Sequence, residues 1–275
     1  MAPVSTTPTV GQDQTVLECV LNLSEGRRSR MVADLAATAG DDLLDLHSDP
    51  DHNRSVLTLV GTEAPRAVAR AAVERLDLRR HTGVHPRIGV VDVVPFVALA
   101  GSSPADARAA RDEFAVWIAT ELGVPAFLYG PERSLPELRR GAFTTLAPDH
   151  GPSTPHPRAG AVAVGVRPVL MAWNLWLAEP DLATARSIAT AVRSTDVRAL
   201  GLQVGEAVQV SMNLLAPLRT GPAQVYDRVA SMAPVARAEL VGLVTAELLE
   251  SVPSDRWAEL DLGPDRTVEA RLARR

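Results

Sequence analysis

The sequence contains no lysine, so all 28 of its basic side chains are arginines. This excludes a lysine Schiff base, and with it pyridoxal-phosphate chemistry, and a P-loop, whose lysine must reach the nucleotide phosphates. No G-x-G-x-x-G follows a strand-like run, which removes a Rossmann dinucleotide site. Cysteine is nearly absent: Cys19 stands alone and no internal disulfide can form. An excess of positive charge is missing too, and a net charge of −5 argues against a nucleic-acid partner. No apolar run is long enough to span a bilayer, and the opening MAPVSTTPTVGQDQ lacks the basic and apolar regions of a signal peptide. The expectation is a cytoplasmic chain with neither membrane nor nucleic acid as partner.

What is present is a globular composition, 46% hydrophobic and 22% charged, in a length suited to one large unit or two small ones. Residues 1–13 read as a polar leader. Val16–Val20 reads as a strand, followed by a turn at Ser24–Arg27 and a helix on the spacing of Met31, Val32, Leu35 and Ala36. Two short apolar runs, Leu43–Leu46 and Val56–Val60, flank turn chemistry at Asp49–Asn53. Ala64–Leu76 predicts a helix, Val90–Leu99 a strand, Pro104–Leu122 a long helix and Ala126–Tyr129 a further strand. The second half repeats the order. Val162–Leu177 is strand-like, Pro180 opens a helix to Val192, and Val197–Val204 with Ala207–Leu215 forms a hairpin around Gly205. A helix at Pro222–Met232 and a strand at Val235–Leu240 complete it. The prediction is α+β: two ferredoxin-like β-α-β-β-α-β subdomains, residues 14–166 and 167–275. Near the end of the first subdomain, before the second unit begins, Ala147–Gly160 is rich in proline and glycine, as a linker or a functional loop would be.

Six histidines, His47, His52, His81, His85, His150 and His156, all fall in the first half or the connecting loop. Histidine titrates near neutral pH, so this is where proton-transfer chemistry is expected. His81 and His85 are four apart, but Gly83 and Pro86 oppose a helix there and no H-E-x-x-H pattern exists, so zinc is not expected. Asp49, Asp51 and Asn53 are spaced like a calcium loop. Arg54 stands where that loop needs glycine and Val60 where it needs the closing glutamate, leaving a solvated hairpin turn. The segment H-T-G-V-H-P-R-I-G, His81–Gly89, differs in kind: two histidines and an arginine are carried on a backbone punctuated by glycine and proline, a shape that places side chains in clefts.

These residues carry a resemblance. H-x-G-x-H-P-R-x-G followed by V-x-D-V-x-P-F at Val90–Phe96 resembles the signature of the glutamate formiminotransferase family. The same order holds for E-C-V-x-N-x-S-E-G at Glu18–Gly26, D-x-D-H-N-R-S at Asp49–Ser55, L-Y-G at Leu128–Gly130, S-L-P-x-L-R-x-G at Ser134–Gly141 and A-P-D-x-G-P-S at Ala147–Ser153. A-x-N-x-x-L at Ala172–Leu177, S-x-N-L-L at Ser211–Leu215 and E-L-V-G-L-V at Glu239–Val244 continue it into the second half.

The resemblance implies transfer of a formimino group from N-formimino-L-glutamate to N5 of tetrahydrofolate, with folate lying in a cleft or tunnel between the subdomains and no cyclodeaminase domain fused on. It implies His85 as the catalytic residue and the folate stretch as Gly151, Pro152, Ser153, Thr154, Pro155, His156, Pro157, Arg158, Ala159 and Gly160. Candidates for contact with the substrate are Asn22, His47, Asn53, Arg54 and Arg87, the arginines as planar donors to carboxylates. Tetrahydrofolate is expected as co-substrate, with no metal; the expected partners are small molecules, with a homodimer allowed. Two alternatives carry the same motifs: a paralogue moving a formimino or formyl group to another amine in specialised metabolism, and a non-catalytic folate-binding member.

Three positions depart from the family pattern. Val84 replaces an acid before the catalytic histidine, His47 replaces the second acid of a D-x-D strand, and Ala159 replaces an aromatic that would stack on a pterin. Two imidazoles, His47 and His85, without a carboxylate between them disfavour double protonation. The expectation is weak or absent activity with formiminoglutamate, partly rescued by His47→Asp together with Val84→Glu.

Overall fold

Alternation in the first strand, β1 (Leu17–Leu23), sets the architecture. Leu17, Cys19, Leu21 and Leu23 enter one apolar core, while Glu18 and Asn22 point to the opposite face. The computed structural model describes residues 16–83 and 86–275; the polar leader lies outside them. After β1 come α1 (Ser29–Ala37), β2 (Leu43–Asp49), β3 (Arg54–Val60), α2 (Glu63–Arg75), β4 (Val91–Ala98), α3 (Pro104–Leu122), β5 (Ala126–Tyr129), α4 (Leu135–Gly141) and β6 (Val162–Val166). The sheet order is β2-β3-β1-β4-β6-β5. Its first four strands are antiparallel in the ferredoxin-like arrangement, and β6 and β5 extend it in parallel. Helices α1, α2 and α3 cover one face, with Phe96 against Phe114 at 6.0 Å between ring centroids.

Local chemistry fixes the long helix. Ser103 and Asp106 form a reciprocal capping box, Pro104 occupies the first turn, and Gly123 closes the end at φ 63°. The second unit repeats the pattern as β7 (Met171–Leu177), α5 (Leu182–Val192), β8 (Val197–Val204), β9 (Ala207–Leu214), α6 (Pro222–Ala230) and β10 (Val235–Val241), in sheet order β10-β7-β9-β8. Trp173 anchors its core, its indole N–H donating to the Leu260 carbonyl at 3.1 Å.

Two expectations need correction. The apolar stretch Val162–Leu177 is not one strand: β6 belongs to the first sheet and β7 to the second. Pro168 lacks the N–H a continuing ladder would need, and the chain crosses between the sheets there. Pro180 does not open α5 either. Asp181 is the N-cap, accepting from the backbone of Ala183 and Thr184, and the helix starts at Leu182.

Beyond β10 comes α7 (Ala246–Glu250), whose Leu248 and Leu249 join the second unit's core, and the chain then returns over the first unit as α8 (Val268–Leu272). Leu243 and Val268 pack with Leu44 and Val60 in a cluster shared by both units, and Arg275 pairs with Asp42. Gly242, at φ 85°, approaches so closely that a Cβ there would lie 3.3 Å from the Thr58 hydroxyl. The faces of the two sheets not covered by helices α1–α3 and α5 therefore confront each other. Among the described residues no helix is long and apolar enough to cross a membrane, and no group of three or more His, Cys, Asp or Glu is placed to hold a metal ion.

Candidate functional site

Three segments far apart in sequence meet at one end of the first sheet. Asn53, held at φ 50°, links them: its side-chain oxygen accepts from the Gly26 N–H at 2.9 Å and its amide donates to the Thr82 carbonyl at 2.9 Å. The His81 Nε2 lies 2.8 Å from the Asn53 carbonyl oxygen, and Arg27 donates to the Thr82 hydroxyl at 3.0 Å. Ser24 ties the same turn to the Gly89 carbonyl at 2.7 Å. Glycine is required at the crossing, since a Cβ on Gly26 would come 2.3 Å from the Asp49 carbonyl oxygen. Burial lowers the His81 pKa, against the opposing bond to Asn53. Val84 and His85 lie outside the described residues; their neighbour Gly83 packs on the hairpin, where a Cβ would be 2.5 Å from the His52 carbonyl oxygen.

The hairpin has its own electrostatic lock. Burial would raise the Asp49 pKa, but the His52 side chain at 3.0 Å and the backbone N–H groups of His52 and Asp51 outweigh it and hold the carboxyl at about 2. A depressed folded pKa stabilises above the unfolded value near 3.8 and is lost as pH falls toward 2. Asp49→Asn is therefore expected to cost about 2 kcal/mol at neutral pH. In acid denaturation the difference from the parent protein should vanish as pH approaches 2.

The loop at residues 151–160 joins the same locus at one point only. Val90 N–H donates to the Ala159 carbonyl and Ala161 N–H to the Ile88 carbonyl, both at 2.9 Å, so Gly89 and Gly160 lie against each other. From Gly151 to Pro155 the loop is exposed, His156 is half-buried with Nδ1 accepting from Ala159 N–H, and Arg158 lies 3.8 Å from Asp77. Ala159 is buried in the helix-side core, so its position does not present a stacking surface to the inter-sheet space.

Asn22, Arg54 and His47 share the inward face of the first sheet. Arg54 donates to the Asn22 side-chain oxygen. Burial pulls the Arg54 pKa down to about 10, opposed by Asp92 and Asp49 and reinforced by Arg139. Asp92 is itself buried, accepting from Ile88 N–H at 2.7 Å and from Arg139 at 2.5 Å. Arg87 turns back on its own loop, donating to the Gly83 carbonyl.

The second sheet answers with a polar row that sequence reasoning missed: Glu239, Asn174, Trp176 and Gln209. Glu239 lies 3.8 Å from the His47 ring and accepts from Asn174 at 3.1 Å and from the Trp176 indole at 2.9 Å. Gln209, opposite Trp176 across the ladder, is fully buried, and neither of its amide atoms is paired among the described residues. His47 thus has a carboxylate of the other unit beside it, a neighbour the expectation of two imidazoles without a carboxylate between them did not include. His47→Asp would set two carboxylates against each other, which removes the reason to expect rescue by it. The available signal was polar residues inside the motifs at Ala172–Leu177 and Glu239–Val244, at positions alternating away from the core. A depression of about 760 Å³ lined by Arg66, Arg111, Trp117, Leu128 and His150 lies on the outer helical layer.

A family profile described as the formiminotransferase domain, N-terminal subdomain, matches residues 16–167. A glutamate formimidoyltransferase of Streptococcus pyogenes serotype M1 is 36% identical over 73% of this chain and 77% of its own length. One of Thermoplasma acidophilum is 36% identical over 86% and 91%. The formimidoyltransferase-cyclodeaminase of Sus scrofa is 35% identical over 85% of this chain, which spans about half (51%) of that longer relative.

Proposed function

The chain belongs to the formiminotransferase family, and we propose that it transfers a formimino group from N-formimino-L-glutamate to N5 of tetrahydrofolate, giving 5-formiminotetrahydrofolate and glutamate. The observation that carries the reading is the convergence of three motifs on Asn53, beside an inward-facing row in which Arg54 and Asn22 are already paired. Arginine in such a setting suits the carboxylates of a glutamate moiety.

In the reaction the N5 lone pair attacks the amidine carbon, forming a C–N bond and a tetrahedral adduct. N5 loses one proton. The bond from that carbon to the glutamate nitrogen then breaks, and the departing amine gains one proton. An imidazole can accept the first and return the second, the role we assign to His85 on its motif. Asn22, Arg54 and Arg87 are assigned to substrate contact, and residues 151–160 to the folate side. Initial rates test the proposal: glutamate release should require tetrahydrofolate and saturate in both substrates, and release that is indifferent to tetrahydrofolate would refute it.

A further inference from the structure

Glu239 is held in an unusual way for a carboxylate between two sheets. Its Oε2 takes two neutral donors, the Trp176 indole at 2.9 Å and the Asn174 amide at 3.1 Å, which together fix the plane of the group. Its Oε1 accepts no hydrogen bond among the described residues. Among the described residues the cationic partners within 4 Å of it are His47 Nε2 at 3.8 Å on the facing sheet and Arg237 at 3.9 Å on its own strand. Both distances exceed a hydrogen bond. Arg237 packs over the Trp176 ring at 4.3 Å and is more than half exposed, so its charge is screened by solvent. The side chains of Glu239 and His47 are 22% and 23% exposed, enough for a ligand atom to reach both.

An oriented carboxylate with one free oxygen is complementary to a planar cation bearing N–H groups. A formimino donor carries such a group, since an amidine is protonated at neutral pH, whereas the corresponding formyl donor presents a neutral amide. We propose that Glu239 binds the amidinium of the donor and so selects formimino over formyl compounds, an assignment that rests on the transfer reading above. The amidinium N–H donates to Oε1 from the open side, next to His47. A formyl oxygen at the same place would face the carboxylate and be repelled, which supplies the discrimination against the wrong donor.

The test is Glu239→Gln, which keeps shape and removes charge, alongside Glu239→Asp, which keeps charge. In Glu239→Gln the kcat/KM for formiminoglutamate should fall about 10²-fold, mostly through KM, while inhibition by N-formylglutamate is unchanged or stronger. Glu239→Asp should retain the preference for the formimino compound. Equal loss of both ligands in Glu239→Gln, or equal retention, overturns the assignment. A second measurement does not depend on turnover. Formamidinium should shift the Trp176 indole N–H resonance saturably in the parent protein and not in Glu239→Gln; a shift of equal size and midpoint in both, or none in either, also overturns it. A parent protein that shows the Glu239-dependent shift yet transfers no formimino group would refute the transfer reading, and with it the choice between donors, while a protein that transfers the group without that shift would overturn the Glu239 assignment alone.

Discussion

Replacing His85 by alanine is expected to lower kcat by about 10²–10⁴-fold, the usual worth of a positioned general acid–base group. The melting temperature should stay close to that of the parent protein, because the locus is held by other residues. Asn53, Ser24 and the glycines at 26, 83 and 89 make its connections, through backbone groups and short side chains. Turnover that survives in His85→Ala would remove the residue from the reaction and direct attention to His81 or His47. Circular dichroism and a thermal melt would separate that outcome from a misfolded variant.

The second large effect is expected from a single methyl group. Gly89 lies where the histidine loop and the 151–160 loop cross, and a Cβ there would come 1.9 Å from the Ala161 carbonyl oxygen and 2.9 Å from that of Ala159. Those oxygens belong to backbone on either side of Gly160, itself at φ 73°, so neither can rotate aside as a side chain would. Gly89→Ala should therefore cost about 3 kcal/mol or more. For a chain of this size that corresponds to a fall of roughly 6–12 °C in melting temperature. Activity should fall with it, since the Ser24 and Asp92 contacts that frame the site end on Gly89 and Ile88. A melting temperature within 2 °C of the parent protein, about the shift expected from a small surface change, would show that the crossing is looser than its geometry indicates.

Much of the fold is legible where local and tertiary signals agree. Helix α3 was readable to its end residues because Pro104 and Gly123 punctuate it, and β5 stood out as an apolar run between turns. The misreading of Val162–Leu177 has the opposite cause. Both β6 and β7 are apolar, so composition alone could not show that they belong to different sheets. Helices α7 and α8 are each five residues long, too short for an apolar period, and carry only a threonine N-cap and a first-turn glutamate as local signals. They are held by contacts to distant strands, such as Val268 with Leu44.

The site divides in the same way. The histidine loop could be singled out because histidines, glycines and a proline cluster there without periodicity, whereas Asn53 and Arg54 stand out as substrate contacts only through the family resemblance. Glu239 could not, because a glutamate in a half-exposed strand reads as a solvent-facing residue. Only the second sheet facing the first turns it into the neighbour of His47. Asp92 was equally hidden: a single acid in a strand of valines gives no hint that it accepts from both Ile88 and Arg139.

The most direct test of the account follows the transferred carbon itself. With formiminoglutamate labelled with ¹³C in the formimino group, the protein and tetrahydrofolate, the account predicts that the label appears on N5 of the folate with one glutamate released per labelled product. Label that remains on glutamate, or that is found only as free formamide or formate, would contradict it.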